Sequence, residues 1–410
     1  MIMKSLMIKI QKARRMIERN GILSGGKIVG TYLSMYLGTY LKSFFAGSGD
    51  ILFITGGIGD KAHFRAFGAA EELRMHNFQC AVTVADNFRL LKLANKFKIF
   101  VFHKVSYNEK IAKFIEKIKK QSKEIIFDTD DLDYDPQYLK YMDYFSQMSS
   151  AEKTEYEKGV GAEIINDPYV KVCTTTVSYL ANKLKEKNKK VFIVSNKISN
   201  HELEITNRIL ENNPRPDPLP KGEEDAVRIG YYSGTLSHNK DFAVILDVLM
   251  KILEKYKNTK LLLAGPLDVE DKLNEFKDRI EILPRVPRNE YYTNIFKCDI
   301  NLAPLELNNP FCESKSELKF FEAGILKIPT VAVKNQTFSE AITDGENGFL
   351  AATQEEWTEK ISLLIKDENL RKNMGEKARE KVLRDYTNKN SHSEEYYGYL
   401  RSRISEIANK

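Results

Sequence analysis

Short apolar runs recur along the chain at intervals that suit strands buried on both faces. Ile51–Thr55, Ala81–Val84, Ile99–Phe102, Glu124–Phe127, Val172–Val177 and Lys190–Val194 form a first series. Val227–Tyr232, Lys260–Gly265, Ile280–Pro284, Cys298–Pro304 and Thr330–Val333 form a second. Helical or basic stretches separate the runs. Uninterrupted apolar strands alternating with helices predict parallel sheets covered on both sides. The expected fold is α/β, with two doubly wound, Rossmann-like domains. Between the series, residues 212–226 carry four prolines (Pro214, Pro216, Pro218 and Pro220) and read as the linker.

Ahead of the first run the pattern changes. Residues 4–19 mix Lys4, Lys9, Lys12, Arg14, Arg15 and Arg19 with Leu6, Ile8, Ile10 and Ile17. Ile28 to Leu41 holds no charge, and Tyr32, Tyr36 and Tyr40 recur at helical spacing beside Leu33, Leu37 and Leu41. That stretch is too short to span a bilayer and lacks the ending of a cleaved signal. It suits a helix lying in an anionic membrane surface, or a helix pair packed on the body.

Charge sharpens this reading. The chain of 410 residues has a net charge of +6. Residues 1–45 hold eight Lys or Arg against one acid, Glu18, leaving 55 basic and 56 acidic residues elsewhere. The body offers no basic face, which argues against nucleic acid. Hydrophobic content of 42% suits two soluble domains. Cys80, Cys173, Cys298 and Cys312 stand singly. They read as reduced thiols without structural zinc, in a cytoplasmic protein that can sit on the inner face of the membrane.

Candidate chemistry falls at strand ends. Gly56-Gly-Ile-Gly-Asp60 is a glycine-rich turn into a helix with Arg65, but no acid stands at the usual ribose position. Asp128-Thr-Asp-Asp131 follows the fourth run and His103 the third. The aspartates read as cleft-lining groups, helix caps or magnesium ligands, and His103 as a cleft or a structural residue. In the second half, Glu313 to Gly324 predicts a helix with a Ser314–Glu317 capping box. Lys315, Lys319 and Glu322 share one face of it, and Leu318, Phe321 and Ile325 the other. Free N–H groups and two lysines suit a diphosphate, with a carboxylate deeper in for hydroxyls. A surface helix with i, i+4 pairs is the alternative.

Lys315-Ser-Glu-Leu-Lys-Phe-Phe-Glu-Ala323 resembles the donor-site helix of retaining nucleotide-sugar glycosyltransferases of family 4, which have the GT-B fold. In that family a Glu-x7-Glu pattern precedes Ala-Gly or Ala-Met. Glu322 matches the second Glu, while Ser314 occupies the first position and Glu313 is one residue out of step. Ser233-Gly-Thr-Leu-Ser-His-Asn-Lys240 resembles the family's Gly-Arg-Leu…Lys turn, with Thr235 replacing the arginine. The resemblance implies Glu322 and Lys240 as the principal site residues. It adds Gly234, Thr235, His238, Arg285, Val286, Lys315, Ser316, Glu317, Leu318 and Lys319 around the donor. Gly57, Gly59, Asp60, Arg65, His103, Asp128, Asp130 and Asp131 would line the acceptor side.

It further implies a nucleotide-diphosphate sugar as donor, with no cofactor and no metal. The acceptor would be a saccharide or a lipid-linked saccharide, in surface polysaccharide or glycoconjugate assembly. The expected organisation is N-terminal helices (1–46), an acceptor-side domain (47–205), a linker (206–226), a donor domain (227–386) and a returning C-terminal helix (387–410). A non-catalytic partner subunit and a nucleotide-sugar epimerase are the other readings.

Overall fold

The structure, a computed structural model, describes residues 14, 17, 25–27, 29, 30, 32–41, 47–57, 59, 62–212, 226–233, 239–265, 267, 270–283, 286–390 and 393–409. Two separate six-stranded sheets carry it. The first comprises β1 (Ile51–Thr55), β2 (Cys80–Val84), β3 (Ile99–His103), β4 (Glu124–Thr129), β5 (Val172–Thr175) and β6 (Lys190–Ile193), in the order β2-β1-β3-β4-β5-β6. The second comprises β7 (Val227–Tyr232), β8 (Thr259–Ala264), β9 (Ile280–Leu283), β10 (Ile300–Ala303), β11 (Thr330–Val333) and β12 (Phe349–Ala351), in the order β12-β11-β10-β7-β8-β9. Neighbouring strands pair in parallel, as in Ile51 with Ile99 and Ile229 with Ile300. β1, β3, β4, β10 and β11 are buried along their whole length, which is why their sequences do not alternate.

In each sheet the strand order reverses beside the first strand. Loops leaving the two strands there diverge, and this opens a crevice at their carboxyl ends. The first crevice lies between β1 and β3, the second between β7 and β10. Backbone packs tightly at the first, and again where the loops after β7 and β8 meet. A Cβ on Gly56 would meet the Lys104 carbonyl oxygen at 1.9 Å, and one on Gly265 (φ +93°) the Ser233 oxygen at 1.9 Å.

The helices that bear on the site are α1 (Ala69–Met75), α2 (Asn200–Asn212), α3 (Asn239–Ala243), α4 (Arg288–Phe296), α5 (Pro310–Glu313), α6 (Leu318–Gly324), α7 (Glu368–Asp385) and α8 (Glu394–Ala408). α2 packs Leu203, Ile205 and Ile209 on the core of the second domain. The chain therefore crosses between domains at about 194–199, ahead of α2. The linker expected at 206–226 begins inside this helix, and residues 213–225 lie outside the described residues. The return crossing follows α7. There Ile198 and Thr387 form a parallel bridge. Ile198 N–H donates to Tyr386 O at 2.8 Å, and Asn388 N–H to Ile198 O at 3.0 Å. Lys197 is paired with Glu72 of α1 at 2.8 Å, and Tyr397 of α8 donates to the same carboxylate at 2.5 Å. α8 buries Tyr396, Tyr397 and Leu400 against Ile51 and Phe53, so it rests on the first domain.

The domains also exchange aromatic side chains. Phe311 of the second belongs to the core of the first, and Phe64 of the first to that of the second. Phe64 meets Phe321 edge-on at 6.2 Å. Burying each such ring contributes roughly 2–3 kcal/mol to docking. At the other end, residues 32–41 are helical and lean on the first domain. Tyr36 donates to Asp86 at 3.2 Å, and the Tyr40 ring lies 6.0 Å from that of Phe88.

Candidate functional site

The segment between β10 and β11 departs from the spacing argument in one respect. Asn309 accepts a hydrogen bond from Phe311 N–H and Pro310 takes the first helical position, so a separate turn, α5, starts there. Ser314 closes that turn, its hydroxyl donating to Phe311 O at 2.7 Å. α6 starts only at Leu318, and Glu317 caps it without a side-chain bond. The expected capping box is absent because Asn309–Pro310 supplies an earlier start. Lys315 and Ser316 thus lie in the joint between two short helices, while Lys319 and Glu322 share a face of α6. Phe320 through Gly324 are all buried, which excludes a surface helix.

Lys319 reaches the end of β7. Its ammonium donates to Tyr232 O at 2.5 Å and lies 5.1 Å from the Tyr231 ring. Burial lowers its pKa, partly offset by Glu322 and Asp241. Lys240 is 60% exposed and meets Asp143 of the first domain at 3.2 Å, a contact that raises its pKa. The neighbouring Asp241 accepts from Glu306 N–H and from the Cys312 thiol, both at 3.2 Å. This ties α3 to the loop after β10 and to α5. Burial, with Asp241 beside it, pushes the Cys312 thiol up, so the sulfur stays a donor. Lys315 lies 5.4 Å from the Phe311 ring. Ser316 accepts from Asn196 of the first domain at 3.0 Å. Lys319 thus sits at the end of β7, and Lys240 and Lys315 lie on the segments that follow β7 and β10, the two strands flanking the second switch point.

Other donor-side candidates fall elsewhere. Gly234, Thr235, His238 and Arg285 lie outside the described residues. Val286 is half-buried just ahead of α4, and Leu318 packs on the second core. Glu317 turns towards the domain crossing. It shares a cavity of about 100 Å³ with Thr176, Ser195 and Tyr386, and its Oε2 has no hydrogen-bond partner there. Burial pushes its carboxyl up to about 7.

Glu322 is buried and held at both oxygens. Arg288 reaches Oε1 at 2.6 Å, and Tyr291 donates to Oε2 at 3.1 Å. Arg288 also pairs with Glu202 of α2 at 2.7 Å. Glu202 takes His63 at 3.1 Å and Tyr292 at 3.3 Å. Burial alone would raise the Glu202 carboxyl, but Arg288 and His63 hold it well below the usual range. Spacing does not reveal this group, since its members come from positions 63, 202, 288, 291, 292 and 322. One signal was available: a helix that buries a glutamate needs a cation, and Pro287-Arg288 opens the preceding helix.

The acceptor-side candidates divide. Arg65, His103, Asp128 and Asp131 are each buried to 3% exposure or less, so they sit inside the first domain rather than on an open wall. A wide π-type turn over His63–Gly68 carries Arg65 inward. Its guanidinium grips Asp128 at 2.5 and 3.2 Å and reaches Asn196 at 3.3 Å. His103 Nδ1 at 2.9 Å and the Thr174 hydroxyl at 2.6 Å complete the shell around Asp128. Burial would raise this carboxyl, yet Arg65 and His103 hold it far below its ordinary value. Lys104 pairs with Asp130, Asp131 and Asp133 at 3.1, 2.7 and 2.5 Å. Gly57 N–H bonds to the Thr55 hydroxyl, and the exposed Gly59 accepts from His63 N–H at 3.1 Å. Asp60 lies outside the described residues.

Two Rossmann-like domains, crossed twice by the chain and closed by a returning helix, define the GT-B architecture. The profile of the family described as Glycosyl transferases group 1 matches residues 218–381, so the second domain is a glycosyltransferase group 1 domain. A glycosyltransferase from Rickettsia africae superposes with a TM-score of 0.57 at 14% identity, covering 88% of this chain and 99% of that one. Sucrose-phosphate synthase from Thermosynechococcus elongatus gives 0.54 at 12% identity, over 88% and 98%. Anabaena Alr3699/HepE, in complex with UDP and glucose, gives 0.51 at 14% identity, over 88% and 99%. At these identities the likeness is one of fold. Comparison with curated proteins finds no significant match.

Proposed function

We propose that this chain is a glycosyltransferase that moves a sugar from a nucleoside-diphosphate sugar to a saccharide or lipid-linked acceptor, with retention at the anomeric carbon. The observation that carries this reading is Lys319 at the end of β7 in a glycosyltransferase group 1 domain, with Lys240 and Lys315 on the segments that follow β7 and β10. Loss of the nucleoside diphosphate builds charge on the β-phosphate. Cations fixed in advance stabilise that charge without reorganising. Lys319 is largely desolvated, so its charge acts with little screening. Glu322 accepts hydroxyls of the ribose or the sugar and aligns the reacting carbon. The departing phosphate oxygen takes the acceptor's proton, so no separate base is required.

UDP-sugars are the first donors to test, because a structural neighbour holds UDP and glucose. The assay is nucleoside diphosphate release from a panel of nucleotide sugars, with Lys240→Ala, Lys319→Met and Glu322→Gln compared with wild type. Each variant is expected to lower kcat/KM at least about tenfold. Full turnover in all three would sink the donor-site assignment. A wild-type protein that releases nothing across the panel would favour the partner-subunit reading, and interconversion of free nucleotide sugars the epimerase.

The acceptor side is read from the N-terminal helix. Leu33, Leu37 and Leu41 are 53%, 58% and 55% exposed, and Phe88 beside them 64%. No helix among the described residues is long and apolar enough to cross a membrane. The apolar row and the basic excess of residues 1–45 suit a protein resting on the anionic inner surface, where a lipid-linked acceptor would be met.

A further inference from the structure

We propose that Arg288 is the positioning residue that couples donor occupancy to the docking of the two domains. This rests on the glycosyltransferase reading above. Arg288 opens α4 in the second domain, yet its guanidinium touches three separate segments. One edge holds Glu322 at 2.6 Å. Another holds Glu202 at 2.7 Å, on the helix that follows the domain crossing. Its face lies over the ring of Phe64, 4.7 Å away. Phe64 and His63, which shares the Glu202 oxygen at 3.1 Å, both follow the glycine-rich turn of the first domain.

A guanidinium suits this place for two reasons. It keeps its charge at any working pH. Its rigid fork can bind two carboxylates while its flat face packs on an aromatic ring. An ammonium has neither geometry. Among the described residues each Glu322 oxygen has one protein donor, from Arg288 or Tyr291, which leaves lone pairs for ligand hydroxyls. A diol that draws on Glu322 must share it with Arg288. Any shift of that carboxylate is then felt through Arg288 at Glu202, and beyond it at His63 and Phe64, which the first domain contributes.

The test uses the full-length protein with UDP, GDP and ADP as probes. Calorimetry gives Kd, and hydrogen exchange follows the segment 56–66 with and without nucleotide. In wild type, nucleotide should slow exchange there as well as in 316–324. Arg288→Met should weaken binding at least about tenfold and abolish the slowing in 56–66 while keeping it in 316–324. Arg288→Lys should recover part of the affinity and little of the protection. Phe64→Leu keeps every charge and should blunt the protection in 56–66 with little change in Kd, a readout that stands even if Arg288→Met does not fold. Variants that bind and protect 56–66 as wild type does would overturn the proposal alone. Failure of wild type to bind any of the three nucleotides would overturn the donor reading and this proposal with it.

Discussion

Two buried carboxyl groups close to the domain interface behave in opposite ways, and their partners explain why. Asp128 has Arg65, His103 and Thr174 around it, and is held in its charged form. Truncation of one partner of a buried ion pair typically costs about 3–5 kcal/mol, because the other charge stays behind. Arg65→Met should therefore lower the unfolding free energy obtained from urea titration by an amount in that range, and a loss under about 1 kcal/mol would contradict the network. Glu317 has no cation in contact among the described residues, and burial moves its carboxyl from 4.5 to about 7. As pH rises past 4.5 the unfolded chain releases this proton first. The folded protein keeps it until about 7, so between those values this group's contribution to stability falls with rising pH. The full swing is roughly 3 kcal/mol. Glu317→Gln stays neutral throughout, and should show a smaller drop in Tm between pH 5 and pH 8 than wild type. Parallel pH profiles would refute the shift.

Among the elements, strands were the most legible and joints the least. Runs such as Ile99–Phe102 and Thr330–Val333 declare themselves, since a strand covered on both faces has no polar side to vary. The donor segment was legible in composition and misjudged in detail. Ser314 and Glu317 have capping-box spacing, but Asn309–Pro310 competes for the start and wins. Arg65, His103 and Asp128 carried the right chemistry, yet only the turn geometry shows them pointing at one another. The Arg288 group could not be found by spacing, because its contacts span 259 positions from His63 to Glu322. The N-terminal helix makes its own prediction. Each Lys or Arg near an anionic surface adds about 1 kcal/mol of attraction, which salt screens. Burial of the leucine row adds a part that salt leaves alone. Full-length protein should pellet with anionic vesicles, less so at high salt. A Leu33→Asp, Leu37→Asp variant should lose that binding with its Tm unchanged, since both side chains face solvent. A large drop in Tm would instead assign the helix to the core.

For the molecule as a whole, what matters mechanically is how the chain passes between its halves. The outgoing and returning segments are hydrogen-bonded to each other at Ile198 and Thr387, so they form one two-leaved strap instead of two independent tethers. A strap of that kind permits swinging about a single axis and resists sliding or twisting. Ile198, Tyr386 and Asn388 close it, and α2 already rides on the second domain before the proline-rich residues begin. They can consequently be severed. A protease site placed between 213 and 225, once cut, should leave two pieces that co-elute and still process donor. The same cut made between 195 and 199 should break the strap and unseat the halves. Separation after the first cut would return the pivot to the proline-rich stretch.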